Sequence, residues 1–244
     1  VDAIGDQYLP VGLDSALPKK PYSITLSLAD KIDTLIGFFG VNEKPSSSKD
    51  PFALRRLALG IIRIIIENKK DLKINDLISY SSSVYLNQGF NFSNNKLQKD
   101  IVNFLRDRFR YYLKEKDIRY DIIEAASKEI NLNNISTVFE KAKSLNKVIN
   151  KTIGEDIVLT YKRAFNILHS EVKDVGKELT NSTDPGIFKN DFEKDFYKKT
   201  SELRKYFSSI SKNHNFDETL VEMSSVKKEV FAFFDNVKVN DNNE

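Results

Sequence analysis

Apolar residues recur at intervals of three and four positions through most of this 244-residue chain. No convincing run alternates apolar with polar residues as a half-buried strand does. The spacing predicts an all-α fold built from packed helical hairpins. Predicted helices lie at about 22–40, 51–65, 74–86, 97–116, 120–130, 135–150, 156–172, 188–212, 216–223 and 226–234.

The polar, glycine-containing stretch 87–95 separates these helices into two groups. We therefore expect two helical subdomains, at residues 1–90 and 91–244, which meet near residues 87–96. The chain opens on Val1 without an initiating Met or a signal-peptide pattern, which predicts a fragment that begins inside a longer protein. No window approaches about 18 uninterrupted apolar residues, so the sequence predicts no membrane span.

Composition restricts the available chemistry. Cysteine is absent and the histidines are His169 and His214, which excludes disulfides and thiol nucleophiles and leaves little for histidine catalysis. A reducing cytoplasm is the expected compartment. The chain also lacks a glycine-rich phosphate loop and a paired Cys/His metal spacing, so we predict no catalytic residue and no metal or cofactor site in it. The net charge is only +3, and a surface for RNA would need local clustering of cations.

The predicted helix 97–116 combines an apolar stripe with a cationic face. The stripe consists of Ile101, Leu105, Phe109 and Leu113, and the opposite face carries Arg106, Arg110 and Lys114 at successive four-residue steps. Cations one turn apart can follow a phosphate backbone, and Tyr111 or Tyr112 could stack on a base. The alternative is a solvated helix face without a ligand.

The predicted helix 156–172 has a second polar cluster. We expect its buried line to comprise Ile157, Tyr161, Ala164 and Leu168. Lys162 and Asn166 would share an outer face, with Arg163 beside them. Two cations next to an amide could contact a phosphate and a base edge. Alternatively, Asn166 bonds a neighbouring loop and the cations face solvent.

Two carboxylates, Asp30 and Asp33, lie three residues apart on one face of the first long predicted helix. Such a pair can hold a divalent cation or serve a hydrolytic site. It can equally form salt bridges to Arg55 or Arg56 of the next helix. Because no histidine lies nearby to complete a metal site, the structural role is the preferred interpretation.

Several strings, in order, resemble those of bacterial glycyl-tRNA synthetase β subunits. They are ADKIDTLIGFF at 29–39, EKP at 43–45 with SKDPFALRR at 48–56, FLRDRFRYYLKEKDIRYD at 104–121, KR with NIL at 162–168, and VFAFFDNVKV at 230–239. Together they span nearly the whole chain. The chain is similar to the C-terminal part of such a subunit.

The resemblance implies the end of an HD-type helical domain at 1–90 and a helical-bundle (DALR-like) anticodon-binding domain at 91–244. It implies a fragment that binds tRNA(Gly) without being catalytic, within a glycine–tRNA ligase of two α and two β subunits. ATP and Mg would belong to the α subunit, and neither DNA nor a membrane would be a partner. The expected tRNA-binding residues are Arg106, Arg110, Lys114, Lys162, Arg163 and Asn166.

Asp30 matches the position of the last metal-binding aspartate of HD phosphohydrolases, but the preceding histidines of that motif are not in this sequence. The resemblance therefore implies a vestigial position and no metal. Two alternatives stay open: a remnant HD-type metal-dependent phosphohydrolase, and a helical scaffold on which the α subunit docks.

Overall fold

The computed structural model describes residues 2–90, 92, 94–129, 135–175, 183–210 and 215–237. The α-helices are α1 Asp2–Asp6, α2 Pro21–Gly40, α3 Leu54–Glu67, α4 Ile74–Asn87, α5 Asn94–Glu115, α6 Tyr120–Glu129, α7 Ile135–Val148, α8 Thr152–Val175, α9 Asp191–Ser209, α10 Phe216–Ser224 and α11 Lys227–Asn236. No strand occurs within the described ranges, so the predicted all-α fold is confirmed. His214 lies outside them.

The chain divides into two compact units, unit 1 at Val1–Lys143 and unit 2 at Ser144–Glu244. The division falls inside α7. Within the ranges that can be described, no helix combines the length and apolar content needed to cross a bilayer.

Helices α2, α3 and α5 form the centre of unit 1. Their apolar stripes face one another, and the most deeply buried members include Leu35, Ile36, Ile61, Ile62, Ile64, Ile101 and Phe109, each no more than 1% exposed. The stripe predicted on α5 is buried throughout. Helices α1 and α4 pack on α2, and α6 packs on α5.

Within unit 1, Phe92 packs the segment between α4 and α5 onto α2 and α4. The rings of Tyr85 and Phe92 lie 5.4 Å apart. A methyl group at Gly37 would lie 2.7 Å from Tyr85 Oη, and one at Gly40 would lie 2.5 Å from the Phe92 ring, so both glycines admit these rings. Helices on either side of residues 87–96 therefore share one packing unit. The division by packing differs from the expected one, and the assignment of 1–90 and 91–244 to two family domains stays a prediction.

A buried lysine holds the N-terminal segment against α2. Lys31 is 1% exposed, and its Nζ donates to the carbonyl of Gln7 at 3.0 Å and to Ser27 Oγ at 2.9 Å. Burial lowers the pKa of Lys31 because desolvation disfavours its charged form. The ammonium thus satisfies backbone and hydroxyl acceptors inside the unit.

A buried arginine extends this attachment to α3. Arg63 is 5% exposed and donates to the carbonyls of Gly12 at 2.5 Å and Ser15 at 3.0 Å. Its Nε also pairs with Glu67 Oε1 at 2.9 Å. Burial raises the pKa of Tyr112, whose Oη donates to the same carboxylate at 3.4 Å. The network joins the N-terminal segment to α3 and α5.

The start of α3 differs from the sequence-based expectation. Pro51 is not the first helical residue, because the helix begins at Leu54. Asp50 nevertheless caps it, since its carboxylate accepts from Leu54 N at 2.8 Å and Arg55 N at 3.0 Å. Ala53 takes a left-handed φ of 53° between the cap and the helix. Asp50 therefore satisfies two N–H groups of the first turn of α3, and the chain makes one more turn before the helix begins.

In unit 2, α8 packs against α10 and α11, and α9 packs against α11. Lys227 Nζ pairs with Asp156 Oδ1 at 2.6 Å, which ties α11 to α8. The rings of Phe196 and Phe233 stack with centroids 4.6 Å apart and join α9 to α11. Aromatic contacts between half-buried rings therefore carry much of this packing.

Candidate nucleic-acid interface

The cationic row on α5, defined as Arg106, Arg110 and Lys114, lies away from the buried stripe as predicted. Its members differ in their surroundings. Arg106 is half-buried and donates to Asn103 Oδ1 at 3.2 Å, whereas Arg110 forms an ion pair with Glu124 of α6. Lys114 is exposed in the last turn of α5. A phosphate can therefore approach Lys114 directly, while at Arg110 it must compete with a carboxylate.

The two tyrosines beside this row have opposite environments. Tyr112 is 1% exposed and packs against Phe139 with ring centroids 5.6 Å apart, so it is not available for stacking on a base. Tyr111 is 42% exposed. The guanidinium of Arg108 lies 5.9 Å from the Tyr111 ring centroid. Of the two suggested stacking residues, only Tyr111 reaches the surface.

On α8, the predicted polar cluster divides into an inward and an outward part. Arg163 forms an ion pair with Asp235, and its guanidinium lies 4.6 Å from the ring centroid of Phe231. Lys162 and Asn166 are exposed. Arg163 therefore joins α8 to α11, and the exposed pair is what a ligand would meet.

The predicted buried line of α8 is wrong. Tyr161 is 64% exposed and Leu168 is 48% exposed, whereas the polar Thr160 is 8% exposed. Helix α8 carries apolar residues on more than one side, so its apolar period did not select the buried side. Contacts with α10 and α11, both distant in sequence, select it instead.

An aromatic row, defined as Tyr161, Phe165 and His169, occupies the outward side of α8. The Tyr161 and Phe165 rings stack with centroids 5.7 Å apart and planes at 24°. Phe165 and His169 meet edge to face at 5.4 Å. This row was not predicted from the sequence, although its four-residue spacing is visible there. The row adjoins Lys162 and Asn166 on the same exposed side.

Asp30 is half-buried and Asp33 exposed on α2. The suggested bridge from Arg55 is not formed, because its guanidinium has other partners. Arg55 Nη1 lies 3.9 Å from Asp50 Oδ2, and Arg55 Nη2 donates to the Ser46 carbonyl. Across the residues that the structure describes, no three His, Cys, Asp or Glu side chains are grouped so that they could hold a metal ion. Asp30 therefore has no described companions for metal binding.

The fold and the faces of α5 and α8 describe an all-helical protein with cationic and aromatic surfaces. A family model described as glycyl-tRNA synthetase beta subunit matches residues 1–128. The chain belongs to this family.

Curated relatives extend the similarity to the rest of the chain. It is 35% identical over 239 residues to the glycine–tRNA ligase beta subunit of Rickettsia prowazekii, covering 98% of this chain and 33% of the relative. It is 31% identical over 237 residues to the beta subunit of Cereibacter sphaeroides, covering 97% of this chain and 34% of the relative. It is 30% identical over 246 residues to the glycine–tRNA ligase beta subunit of Paracoccus denitrificans, covering 100% of this chain and 34% of the relative. The chain thus spans about a third of the length of these relatives.

Proposed function

We propose that this chain is a tRNA(Gly)-binding part of a glycine–tRNA ligase β subunit and supports the ATP-dependent attachment of glycine to tRNA. The observation that carries the proposal is the exposed polar pair on α8, Lys162 and Asn166, which lies inside the string at 162–168 that resembles one of this family's strings. A cation beside an amide can contact a phosphate and a base edge.

Of the predicted tRNA-binding cations, Lys114 in unit 1 and Lys162 in unit 2 are exposed, and we assign direct phosphate contacts to these two. Arg106, Arg110 and Arg163 are secondary candidates, since each already has a protein partner. Asn166 is the candidate for reading a base edge, because its amide can both donate and accept.

A salt titration of tRNA(Gly) affinity tests the assignment. Replacing Lys114 or Lys162 with Ala should weaken binding and lower the log–log salt slope by about 0.7–0.9 for each lost phosphate contact. Lys128→Ala in α6 and Lys228→Ala in α11 remove exposed lysines elsewhere in the same units and serve as matched controls. If test and control variants weaken binding equally, Lys114 and Lys162 contribute only general charge attraction, and the assignment is contradicted.

Asn166 requires a different readout. Asn166→Ala should reduce the preference for tRNA(Gly) over another tRNA while leaving the salt slope in place, because an amide contact to a base releases no counterion. A uniform loss of affinity for every tRNA would contradict the assignment of base reading to this residue.

We further propose that glycine activation with ATP and Mg belongs to the α subunit and that the complex contains two α and two β subunits, as the resemblance implies. The chain alone should then give no ATP–pyrophosphate exchange with glycine. Turnover by the purified chain would contradict this division of labour. Divalent-metal-dependent nucleotide hydrolysis lost in Asp30→Asn would instead favour the phosphohydrolase alternative.

A further inference from the structure

The aromatic row on α8 is not buried by any described residue of unit 2. Tyr161 is 64% exposed and Phe165 is 47% exposed, and His169 is also exposed. The other side of the helix already packs on α10 and α11, where Asp156 pairs with Lys227 and Arg163 pairs with Asp235. Three rings on successive turns form a continuous exposed aromatic surface, which marks an interaction site more often than a scattered single ring does.

The borders of the row indicate what kind of ligand it fits. Lys162 and Asn166 adjoin it on the exposed side, and neither is buried against protein. A flat aromatic surface next to a cation and an amide offers stacking, phosphate attraction and an edge contact together, which is the combination that unpaired nucleotides require. A base pair inside a duplex cannot use this surface, because both of its faces are covered by neighbouring pairs in the stack.

We propose that the aromatic row is a stacking platform for unpaired bases of an RNA loop, with Lys162 at the adjacent phosphate. This inference rests on the proposed tRNA-binding function and names the residues that would hold single-stranded nucleotides. Leu168, which is 48% exposed, borders the row on its other side and extends the apolar surface. A protein partner is the alternative ligand of this surface, and the test must distinguish it from RNA.

The test uses the whole 244-residue chain and two RNA probes. One probe is a hairpin with the anticodon-loop sequence of tRNA(Gly) and a 2-aminopurine in the loop. The other is a blunt duplex with the same stem sequence and no loop. The variants are Phe165→Ala, Tyr161→Ala and Tyr161→Phe, the last of which keeps a ring. Phe207→Ala on α9 is the control, because Phe207 is an aromatic residue of unit 2 with 41% exposure.

Phe165→Ala and Tyr161→Ala should each weaken hairpin binding between about 5-fold and about 150-fold, the range measured for single base–aromatic stacks. Duplex affinity should not change. Tyr161→Phe should retain hairpin affinity, and Phe207→Ala should leave both affinities unaltered. The 2-aminopurine fluorescence change on binding should disappear in the alanine variants. Circular dichroism should show the helix content of the wild type in all of them, because exposed positions contribute little to stability.

Two failures are distinguishable. A wild-type chain that binds neither probe overturns the tRNA-binding function and the platform with it. A wild-type chain that binds the hairpin while the alanine variants bind it equally well overturns the platform alone. Capture of the α subunit that is lost in Phe165→Ala, with hairpin affinity intact, would assign the row to a protein interface and likewise overturn the platform.

Discussion

The two units differ in how they bury apolar surface. Unit 1 has a closed core in which α2, α3 and α5 contribute side chains that are almost fully buried. In the described part of unit 2, the buried apolar residues are Val226 and Val230, and most aromatic rings are half-exposed. A ring can serve a ligand only where the core does not need it, so the exposed aromatic row is found in the unit with the thinner core.

The largest expected effect is on the core of unit 1. Ile61 is fully buried, and Ile61→Ala should lower the free energy of unfolding by about 2–5 kcal/mol through lost contacts and a residual cavity. Ile187→Ala in unit 2 is the matched control, since Ile187 is 68% exposed and should cost less than about 0.5 kcal/mol. Denaturant unfolding and hydrogen exchange check both. Similar losses in the two variants would contradict the contrast between the units.

A smaller loss should follow from removing the buried arginine of unit 1. Arg63→Met keeps most of the side-chain volume but leaves the carbonyls of Gly12 and Ser15 without this donor, at a cost of about 1–3 kcal/mol. Hydrogen exchange should accelerate in the N-terminal segment first. Arg56→Met, an exposed arginine of the same helix, is the control. Unchanged exchange in that segment would show that Arg63 does not hold it.

Lys31 should produce a pH-dependent effect. Burial depresses its pKa in the folded state below the ordinary lysine value of 10.5, so the unfolded chain binds more protons between the two pKa values. Stability contributed by this residue should therefore rise with pH up to about 10.5 and level off above it. The measurement is the difference in unfolding free energy between wild type and Lys31→Met across alkaline pH. The titration of Tyr112 is present in both proteins and cancels. A difference that stays constant with pH would contradict a buried ammonium at this position.

The smallest expected stability change lies in unit 2. The ion pair of Arg163 with Asp235 is partly exposed, and such pairs contribute about 0.2–1 kcal/mol. A double-mutant cycle with Arg163→Ala and Asp235→Ala measures this coupling, which salt should weaken. Arg163→Ala should alter stability more than the salt slope of tRNA binding, and Lys162→Ala should do the reverse. The opposite pattern would make Arg163 the phosphate contact.

The sequence by itself determined helices α2 to α11 to within a few residues at their ends, but not α1, and it determined the buried side of α5. That helix has one apolar stripe, comprising Ile101, Leu105, Phe109 and Leu113, so its period leaves one side to bury. The strings at 29–56 and 104–121 also identified the family, because local residue order is enough for that inference.

Only the tertiary structure decided which side of α8 is exposed and which cations are already paired. Helix α8 is apolar on several sides, and its burial depends on α10 and α11, which lie more than one helix away in sequence. The partners of Arg110 and Arg163, namely Glu124 and Asp235, also come from other helices. The apolar period of a sequence depends only on residues within one helix, whereas exposure and ion pairing depend on which distant segments pack against that helix.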